Sequence, residues 1–350
     1  MKIALITIWR EKNYGAELQA YATIKVLQEL GHEVKMIDIR LSDYPRLNWK
    51  GRTASLISQF GPAHKKFCDF WKKNIPVTRR YKKIEYLMKN PPEADVYLVG
   101  SDQVWNPEVT GDLSMLYFLN FGSADIKRVS YASSFGTDSW RFPELKNEVR
   151  TLLDRFSCVT CRESSGVRIL EEEFGIKACH VLDPTLLIDS YKELVGETNG
   201  QRSLLYYPLG DDPELESYSS SLAKELGLEA KNGNRRTKLL GKIEWDRPDI
   251  AEWVRNIAEA EFVITRSFHG MVFSIMHERQ FAVLADCNGR GTRLKSLLKQ
   301  LGLEDRFYDS LEDLHSAKPW IEKIDYTTVT PKLFELRKKS IAILRRSLEM

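Results

Sequence analysis

The stretch Ile264-Thr-Arg-Ser-Phe-His-Gly270 gathers groups that can hold an anion and move a proton. The run Phe262-Val-Ile-Thr265 at its start reads as a strand, and Met271-Val-Phe-Ser-Ile-Met276 after it has the apolar pattern of a helix. A strand that breaks at Arg266, Ser267, Phe268 and His269 and restarts as a helix at Gly270 sets a guanidinium and an imidazole beside helix N-terminal N–H groups. A single histidine near a helix start also serves as an ordinary hydrogen-bonding residue, so the rest of the chain has to decide. Three other loops carry chemistry. Asn13-Tyr14-Gly15-Ala16 opens a helix after the first strand, and Gly15 and Ala16 leave the backbone open to an incoming group. Gly100-Ser101-Asp102-Gln103-Val104-Trp105-Asn106-Pro107 packs hydroxyl, carboxylate, amides and an indole into one loop, a mixture suited to holding a sugar; the same residues also serve as turn formers around a core tryptophan. Arg162 ends a strand and precedes a helix, where a guanidinium either clamps a carboxylate or phosphate bidentately or pairs with an Asp or Glu.

These loops need strands to hold them, and the periodicity supplies an alternating series. Ile3 to Ile8 is a continuous apolar run of the parallel-sheet kind, Leu18 to Leu30 recurs at helical spacing, Gly31 closes that helix, and Val34 to Ile39 reads as the next strand. Further strands are expected at Val96–Gly100, Val129–Phe135, Cys158–Cys161 and Ala178–Leu182, with helices at Pro143–Phe156 and Ser164–Phe174. The polar stretch Gly196 to Arg202 reads as a linker. A second series follows, with a strand from Leu204, helices at Pro213–Leu226 and Ile250–Ala260, a strand at Phe281–Leu284 and a helix from Arg293 to Leu301. The expected fold is α/β, with two Rossmann-like doubly wound domains at 1–195 and 203–325 and a C-terminal helix in 326–350 packing back across their junction.

Composition excludes several classes. Lys+Arg 52 against Asp+Glu 49 leaves a net charge of +3, too balanced to imply nucleic acid as a partner. The loop after the first strand lacks G-x-G-x-x-G, so no dinucleotide fingerprint is present. Five scattered cysteines, Cys68, Cys158, Cys161, Cys179 and Cys287, argue for a reducing compartment, and Cys158-Val-Thr-Cys161 lacks the second ligand pair that a metal site needs. No metal and no cofactor are therefore expected. The N-terminal run meets Arg10-Glu-Lys12 too soon for a signal peptide, and no run approaches the roughly 18 apolar residues of a membrane span. The expected place is the cytoplasm or, peripherally, the inner membrane face. Two segments bear on the second option: the basic amphipathic pattern from Pro331 to Leu348, and the stretch Arg46 to Lys89, where Lys65, Lys66, Lys72, Lys73, Arg79, Arg80, Lys82 and Lys83 are interleaved with Trp49, Phe60, Phe67, Phe70 and Trp71. The latter reads either as a solvated helical face or as a contact with anionic lipid.

Asn13-Tyr-Gly-Ala16 with Leu18-Gln-Ala-Tyr21, Gly100 to Pro107, Ser130-Tyr-Ala-Ser-Ser-Phe-Gly136, Arg162-Glu163 with Ser165-Gly166, Val181-Leu-Asp-Pro-Thr185 and Ser267-Phe-His-Gly270 together resemble the polysaccharide pyruvyl transferase family, in the family's own order. The resemblance runs from Met1 to about Arg306. It implies a fold similar to GT-B glycosyltransferases and transfer of pyruvate from phosphoenolpyruvate, a co-substrate, to two hydroxyls of a glycan sugar as a cyclic ketal. The glycan belongs to exopolysaccharide, capsule or cell wall, and a lipid-diphosphate-linked oligosaccharide is one form the acceptor can take. By resemblance Arg162 matches a donor-binding arginine, His269 a catalytic or donor-binding histidine, and Arg293 a basic residue downstream of it. Arg266, Ser267 and Phe268 complete the donor side, and Asn13, Tyr14, Gly15, Ser101, Asp102, Gln103 and Trp105 form the acceptor side. One position departs from the pattern: many relatives carry an arginine two residues before the histidine, where this chain has Ser267, with Arg266 one residue earlier.

The chemistry gives these residues work. Phosphoenolpyruvate carries a carboxylate and a phosphate for arginines to close on, and its methylene carbon must be protonated to make C2 electrophilic. A hydroxyl adds at C2, phosphate leaves and a second hydroxyl closes the ring, with His269 suited to move the proton. Two other classes compete: a GT-B-like glycosyltransferase using a nucleotide sugar, and a non-catalytic glycan-binding protein on the same scaffold.

Overall fold

The computed structural model describes residues 1–39, 56–241, 243–285 and 291–349. A first sheet is built from β1 (Lys2–Ile6), β2 (Glu33–Ile39), β3 (Val77–Tyr81), β4 (Val96–Val99) and β5 (Lys127–Ser130). Its pairings are all parallel, in the order β3-β2-β1-β4-β5. In the central strands Ile3 to Ile6 and Val96 to Val99 are wholly buried, which is why they read as unbroken apolar runs. Two short parallel strands, β6 (Thr160–Cys161) and β7 (Cys179–His180), follow, and bridges from Val129 to Cys158 and from Ser133 to Cys161 place them beyond β5.

The second sheet contains β8 (Ser203–Tyr207) and β9 (Glu229–Asn232), then, after a separate antiparallel hairpin of β10 (Thr237–Leu239) and β11 (Ile243–Asp246), β12 (Phe262–Thr265), β13 (Gln280–Leu284) and β14 (Phe307–Tyr308). It too is parallel throughout, in the order β14-β13-β12-β8-β9. The chain thus has two Rossmann-like doubly wound sheets. Two compact units contain them: Met1–Arg52, Phe70–Ile188 and Glu335–Met350 form one, Thr53–Asp69 and Asp189–Phe334 the other.

Local chemistry sets the element ends. The helix Pro213–Leu226 starts where Asp212 accepts a hydrogen bond from the Leu215 N–H at 3.1 Å, with Pro213 in the first turn, and stops at Gly227, whose φ of 66° is left-handed. Two of the longer expected elements come out differently. The strand expected over Val129–Phe135 stops at Ser130, because Ala132 turns the chain at φ 55° and the following residues bond the Gly100–Pro107 loop instead. Ser134 N–H donates to Asp102 O at 3.0 Å, and Trp105 N–H to Ser134 O at 3.1 Å. The helix expected over Pro143–Phe156 divides into a 3-10 turn, Pro143–Leu145, and a helix, Lys146–Leu153. The last helix runs from Tyr326 to Glu349, as expected. Its early part belongs to the second unit, where Lys332 Nζ donates to Leu301 O at 3.1 Å. From Glu335 on it belongs to the first unit: Arg337 Nε donates to Leu186 O at 2.6 Å, and Ser340 Oγ accepts from Leu182 N–H at 3.0 Å.

Candidate functional site

In the first sheet the chain runs from β1 outward to β2 and β3, and from β4 the other way to β5. The loops leaving β1 and β4 therefore flank the topological switch point, where open parallel sheets bind their ligands. These loops are laced together. Gly100 N–H donates to Ile6 O at 2.9 Å, and Thr7 Oγ1 donates to Ser101 O at 2.7 Å. A Cβ on Gly100 would stand 3.0 Å from the Cβ of Thr7, so the close approach needs glycine.

Asn13 is exposed and caps the helix Tyr14–Glu29, accepting from the N–H groups of Gly15 at 3.0 Å and Ala16 at 3.3 Å. Tyr14 is fully buried, and Gly15 is buried in the same turn. Trp105 takes the core role that its sequence context leaves open beside sugar stacking: it has no exposed surface, donates from Nε1 to Tyr117 O at 3.0 Å, and lies parallel to Phe118 with centroids 5.6 Å apart. Tyr14 and Trp105 thus present no face to an acceptor.

Arg162 is the centre of the first crevice. Its side chain is 0% exposed; one terminal nitrogen donates to Asp183 Oδ2 at 2.9 Å and the other to Asp102 Oδ1 at 3.0 Å, while Glu163 Oε2 lies 3.8 Å from its Nε. Burial alone would lower its pKa, but the Asp102, Asp183 and Glu163 carboxylates outweigh burial and hold the guanidinium above its ordinary value. Asp183 also accepts from Ser101 Oγ at 2.8 Å and from Thr185 N–H and Oγ1 at 3.0 and 2.6 Å. Gln103 borders Gly136, where a Cβ would stand 2.1 Å from Gln103 Oε1. Glu17, in the first turn of the helix Tyr14–Glu29, is buried and accepts from Trp71 Nε1 at 2.6 Å. Burial pushes its pKa up to about 7, partly opposed by the Trp71 bond.

In the second sheet the chain leaves β8 for β9 on one side and β12 for β13 and β14 on the other, so the switch point lies between β8 and β12. Arg266 to His269 leave β12 at that place. Ser267 caps the helix Phe268–Met276, accepting from Gly270 N–H at 3.3 Å, and Thr265 Oγ1 accepts from Ser267 N–H at 2.9 Å. A Cβ at Gly270 would stand 2.4 Å from Thr265 Oγ1, so this turn admits no side chain there. His269 is 7% exposed in the first helical turn, edge-on to Phe268 at 5.2 Å between centroids. Arg293, in the first turn of the helix Thr292–Leu301, brings its guanidinium carbon to 5.9 Å from the Phe268 ring centroid. Arg266 donates to Asp212 Oδ2 at 2.9 Å and to Ala285 O, tying the loops that leave β8, β12 and β13.

The structure therefore brings Arg266, Ser267, Phe268, His269 and Arg293 together in one crevice, and Ser101, Asp102, Gln103 and Arg162 in the other. Thr7, Glu17 and Asp212 escape a motif reading as parts of these crevices, and Asp183, inside the Val181–Thr185 motif, is given no role by it. Asp183-Pro-Thr and Asp212-Asp-Pro carry capping signals, and Glu17 is an acid in an otherwise apolar helix face, but no spacing rule joins them to partners 21 to 82 positions away. In the basic stretch, Lys65 pairs with Asp69 at 2.5 Å and Lys66 with Asp246 at 2.7 Å, while Phe67, Phe70 and Trp71 are buried. Its aromatic interleaving is core packing, with Phe60 (83% exposed) and the charges of Lys72 and Lys73 outside. Arg46, Trp49 and Cys287 lie outside the described residues. Burial raises the pKa of the Cys158 and Cys161 thiols, which keeps them protonated. Among the described residues no group of three or more His, Cys, Asp or Glu is placed to hold a metal ion, and no helix is long and apolar enough to cross a membrane.

Comparison with known proteins agrees with this architecture. The UDP-GlcNAc 2-epimerase from Methanocaldococcus jannaschii superposes with a TM-score of 0.52 at 12% identity, covering 91% of this chain and 92% of that one. S. aureus MnaA, in its co-structure with UDP, gives 0.55 at 10% identity, with 94% and 89% covered. Both likenesses concern the fold. The spinosyn rhamnosyltransferase SpnG aligns over 100% of both chains at 12% identity, with a TM-score of 0.48. No curated protein matches the sequence. The polysaccharide pyruvyl transferase family model matches residues 13–288, most of the chain, with Arg162 and His269 inside the match and Arg293 beyond it, and the protein belongs to that family.

Proposed function

We propose that this protein transfers pyruvate from phosphoenolpyruvate to two hydroxyls of a glycan sugar, forming a cyclic ketal. The observation that carries this reading is the second crevice, where His269, Arg293 and the Ser267-capped helix N-terminus meet at the end of β12. Partial positive charge from the helix N–H groups and the Arg293 guanidinium suit a small polyanion, and an imidazolium at His269 suits protonation of the methylene carbon. Arg266 is engaged by Asp212 and Ala285 and serves to hold the loop. The terminal nitrogens of Arg162 hold Asp102 and Asp183, and we assign the donor's anionic groups to the Ser267-capped helix N-terminus with Arg293 beside it. The acceptor belongs at Asn13, Asp102 and Gln103 in the first crevice, beside a buried Ser101 that is bonded to Asp183 and holds the loop. Exopolysaccharide, capsule or cell-wall glycan is the substrate class, and the cytoplasm, where thiols stay reduced, suits a chain in which Cys68, Cys158, Cys161 and Cys179 form no disulfide.

Mass spectrometry of candidate oligosaccharides incubated with phosphoenolpyruvate tests this directly. A mass gain matching one ketal-linked pyruvate, with release of phosphate, is expected. Sugar transfer from a nucleotide sugar, with no reaction of phosphoenolpyruvate, would instead make the chain a glycosyltransferase. Phosphoenolpyruvate should also raise the thermal midpoint of the wild type, and Arg293→Ala should remove that shift.

A further inference from the structure

Positive charge is concentrated on the first unit, around the β3 edge of its sheet and far from the loops that leave β1 and β4 in the sequence. Residues 72 to 89 hold Lys72, Lys73, Arg79, Arg80, Lys82, Lys83 and Lys89 against one acid, Glu85, a net +6 where the whole chain carries +3, which leaves the remainder at −3. All eight side chains are exposed. Arg79 is tied down, donating to Tyr81 Oη at 3.2 Å and to Asn90 O at 2.6 Å. The other six cations form no ion pair with another described residue. Charge on an edge strand guards against pairing with another chain, and Arg79 and Arg80 on β3 serve that end. Edge protection does not account for the lysines at the end of the helix Pro62–Asn74 or around the helix Ile84–Lys89, nor for Tyr86 and Met88, which stand 56% and 41% exposed among them. Beside Lys72 and Lys73 a groove of about 660 Å³ is lined also by Lys25, Tyr21, Gln28 and Asn74, with one acid, Glu29. Ammonium and amide donors around a groove of that size suit a phosphate-bearing headgroup.

We infer that the β3 edge of the first unit docks on an anionic phospholipid surface, with Lys72, Lys73, Arg80, Lys82, Lys83 and Lys89 over the headgroups and Tyr86 and Met88 at the acyl boundary. Charge complementarity selects an anionic partner. The apolar side chains select a bilayer over a nucleic acid, because Met88 leaves water on entering lipid and gains nothing beside a phosphate backbone. The lipid contact that the sequence leaves open over residues 46–89 thus falls on the β3 edge and not on Lys65 and Lys66, which pair with Asp69 and Asp246. Such docking holds the enzyme beside a lipid-linked acceptor, whichever donor it uses.

Co-sedimentation with vesicles of phosphatidylcholine alone, and of phosphatidylcholine mixed with phosphatidylglycerol, tests this at low and at high salt. The wild type should sediment with the mixed vesicles at low salt, stay in the supernatant with the neutral ones, and be released by salt. Each cation near an anionic surface multiplies affinity about fivefold, so Arg80→Gln, Lys82→Gln, Lys83→Gln and Lys89→Gln combined should weaken partitioning by on the order of 10²-fold or more. Tyr86→Ser with Met88→Ser should weaken it about tenfold at unchanged charge. Removing four charges from the C-terminal helix instead, by Lys338→Gln, Lys339→Gln, Arg345→Gln and Arg346→Gln, should change it less than about threefold. Circular dichroism checks that each variant folds, and Lys82→Gln with Lys83→Gln alone, expected to lose on the order of 10-fold, carries the test if the fourfold variant does not. A wild type left in the supernatant with anionic vesicles at low salt, equal binding to neutral vesicles, unchanged binding in the folded charge variants of the β3 edge, or an equal loss from the C-terminal variant overturns the proposal. Tighter binding to a duplex oligonucleotide than to anionic vesicles, with no loss from Tyr86→Ser and Met88→Ser, gives the surface to nucleic acid and overturns it too.

Discussion

The two switch-point crevices stand on sheets of the same kind and differ in charge and in how their arginines are used. In the first, one buried guanidinium is surrounded by Asp102, Asp183 and Glu163, so carboxylate predominates and Arg162 is spent on internal order. In the second, Arg266 pairs with Asp212, and His269 and Arg293 flank Phe268 at a helix N-terminus. The same parallel-sheet edge is thus lined differently by a few residues in the loops.

The sharpest way to break this comparison is to remove the imidazole. His269→Gln should lower turnover by about 10²- to 10⁴-fold while leaving the urea unfolding midpoint near that of wild type, and a folded variant with ordinary turnover would return His269 to a structural role. Arg162→Met should act the other way round, on stability first: it leaves Asp102, Asp183 and Glu163 together without their cation, at a cost of about 3–5 kcal/mol in the unfolding free energy. A loss below about 1 kcal/mol would show that the first crevice is not organised around this guanidinium.

Glu17 sharpens the comparison from the side of pH. With its folded pKa near 7, above the ordinary 4.5, the folded chain holds a proton that the unfolded chain has already released between those values. Its contribution to stability is therefore fully present below about pH 4.5 and is lost as pH rises through about 7, by roughly 3 kcal/mol in all. Glu17→Gln, which keeps an acceptor for Trp71, should flatten that decline when urea midpoints at pH 5 and pH 8 are compared; an equal slope in both proteins would place the titration elsewhere. The smallest effect is expected at Arg266. Its partners are partly exposed, so Arg266→Met should cost about 1–2 kcal/mol, and a loss as large as that of Arg162→Met would mean that the two arginines do the same job.

Much of the architecture can be read along the chain because local physics sets it. Asp212-Pro213 and Gly227 bracket one helix, Gly175 ends another, and the strands β1, β4, β8 and β12 are apolar save at an end residue, Lys2, Ser203 or Thr265. Strands β3, β9 and β14 stand at sheet edges and β10 and β11 form a hairpin outside both sheets; such strands, read as VTRRY in β3 and EAKN in β9, lack the apolar run that marks a central strand. In the candidate sites, the Ser267-capped turn before His269 is contiguous and so was visible. The Asp102–Arg162–Asp183 network was not, since its members lie 60 and 21 residues apart and meet only through the sheet.

The sequence by itself determined the strand and helix alternation, the glycine-restricted turns, the family, and the residue types offered at each strand end, because all of these follow from local periodicity, capping and ordered motifs. The tertiary structure decided what those residues face. It placed Trp105 and Tyr14 in the interior, engaged Arg266 with Asp212, and surrounded Arg162 with carboxylates. The same guanidinium can clamp a ligand or hold a loop, and only burial and the charges brought around it by strand order select between the two.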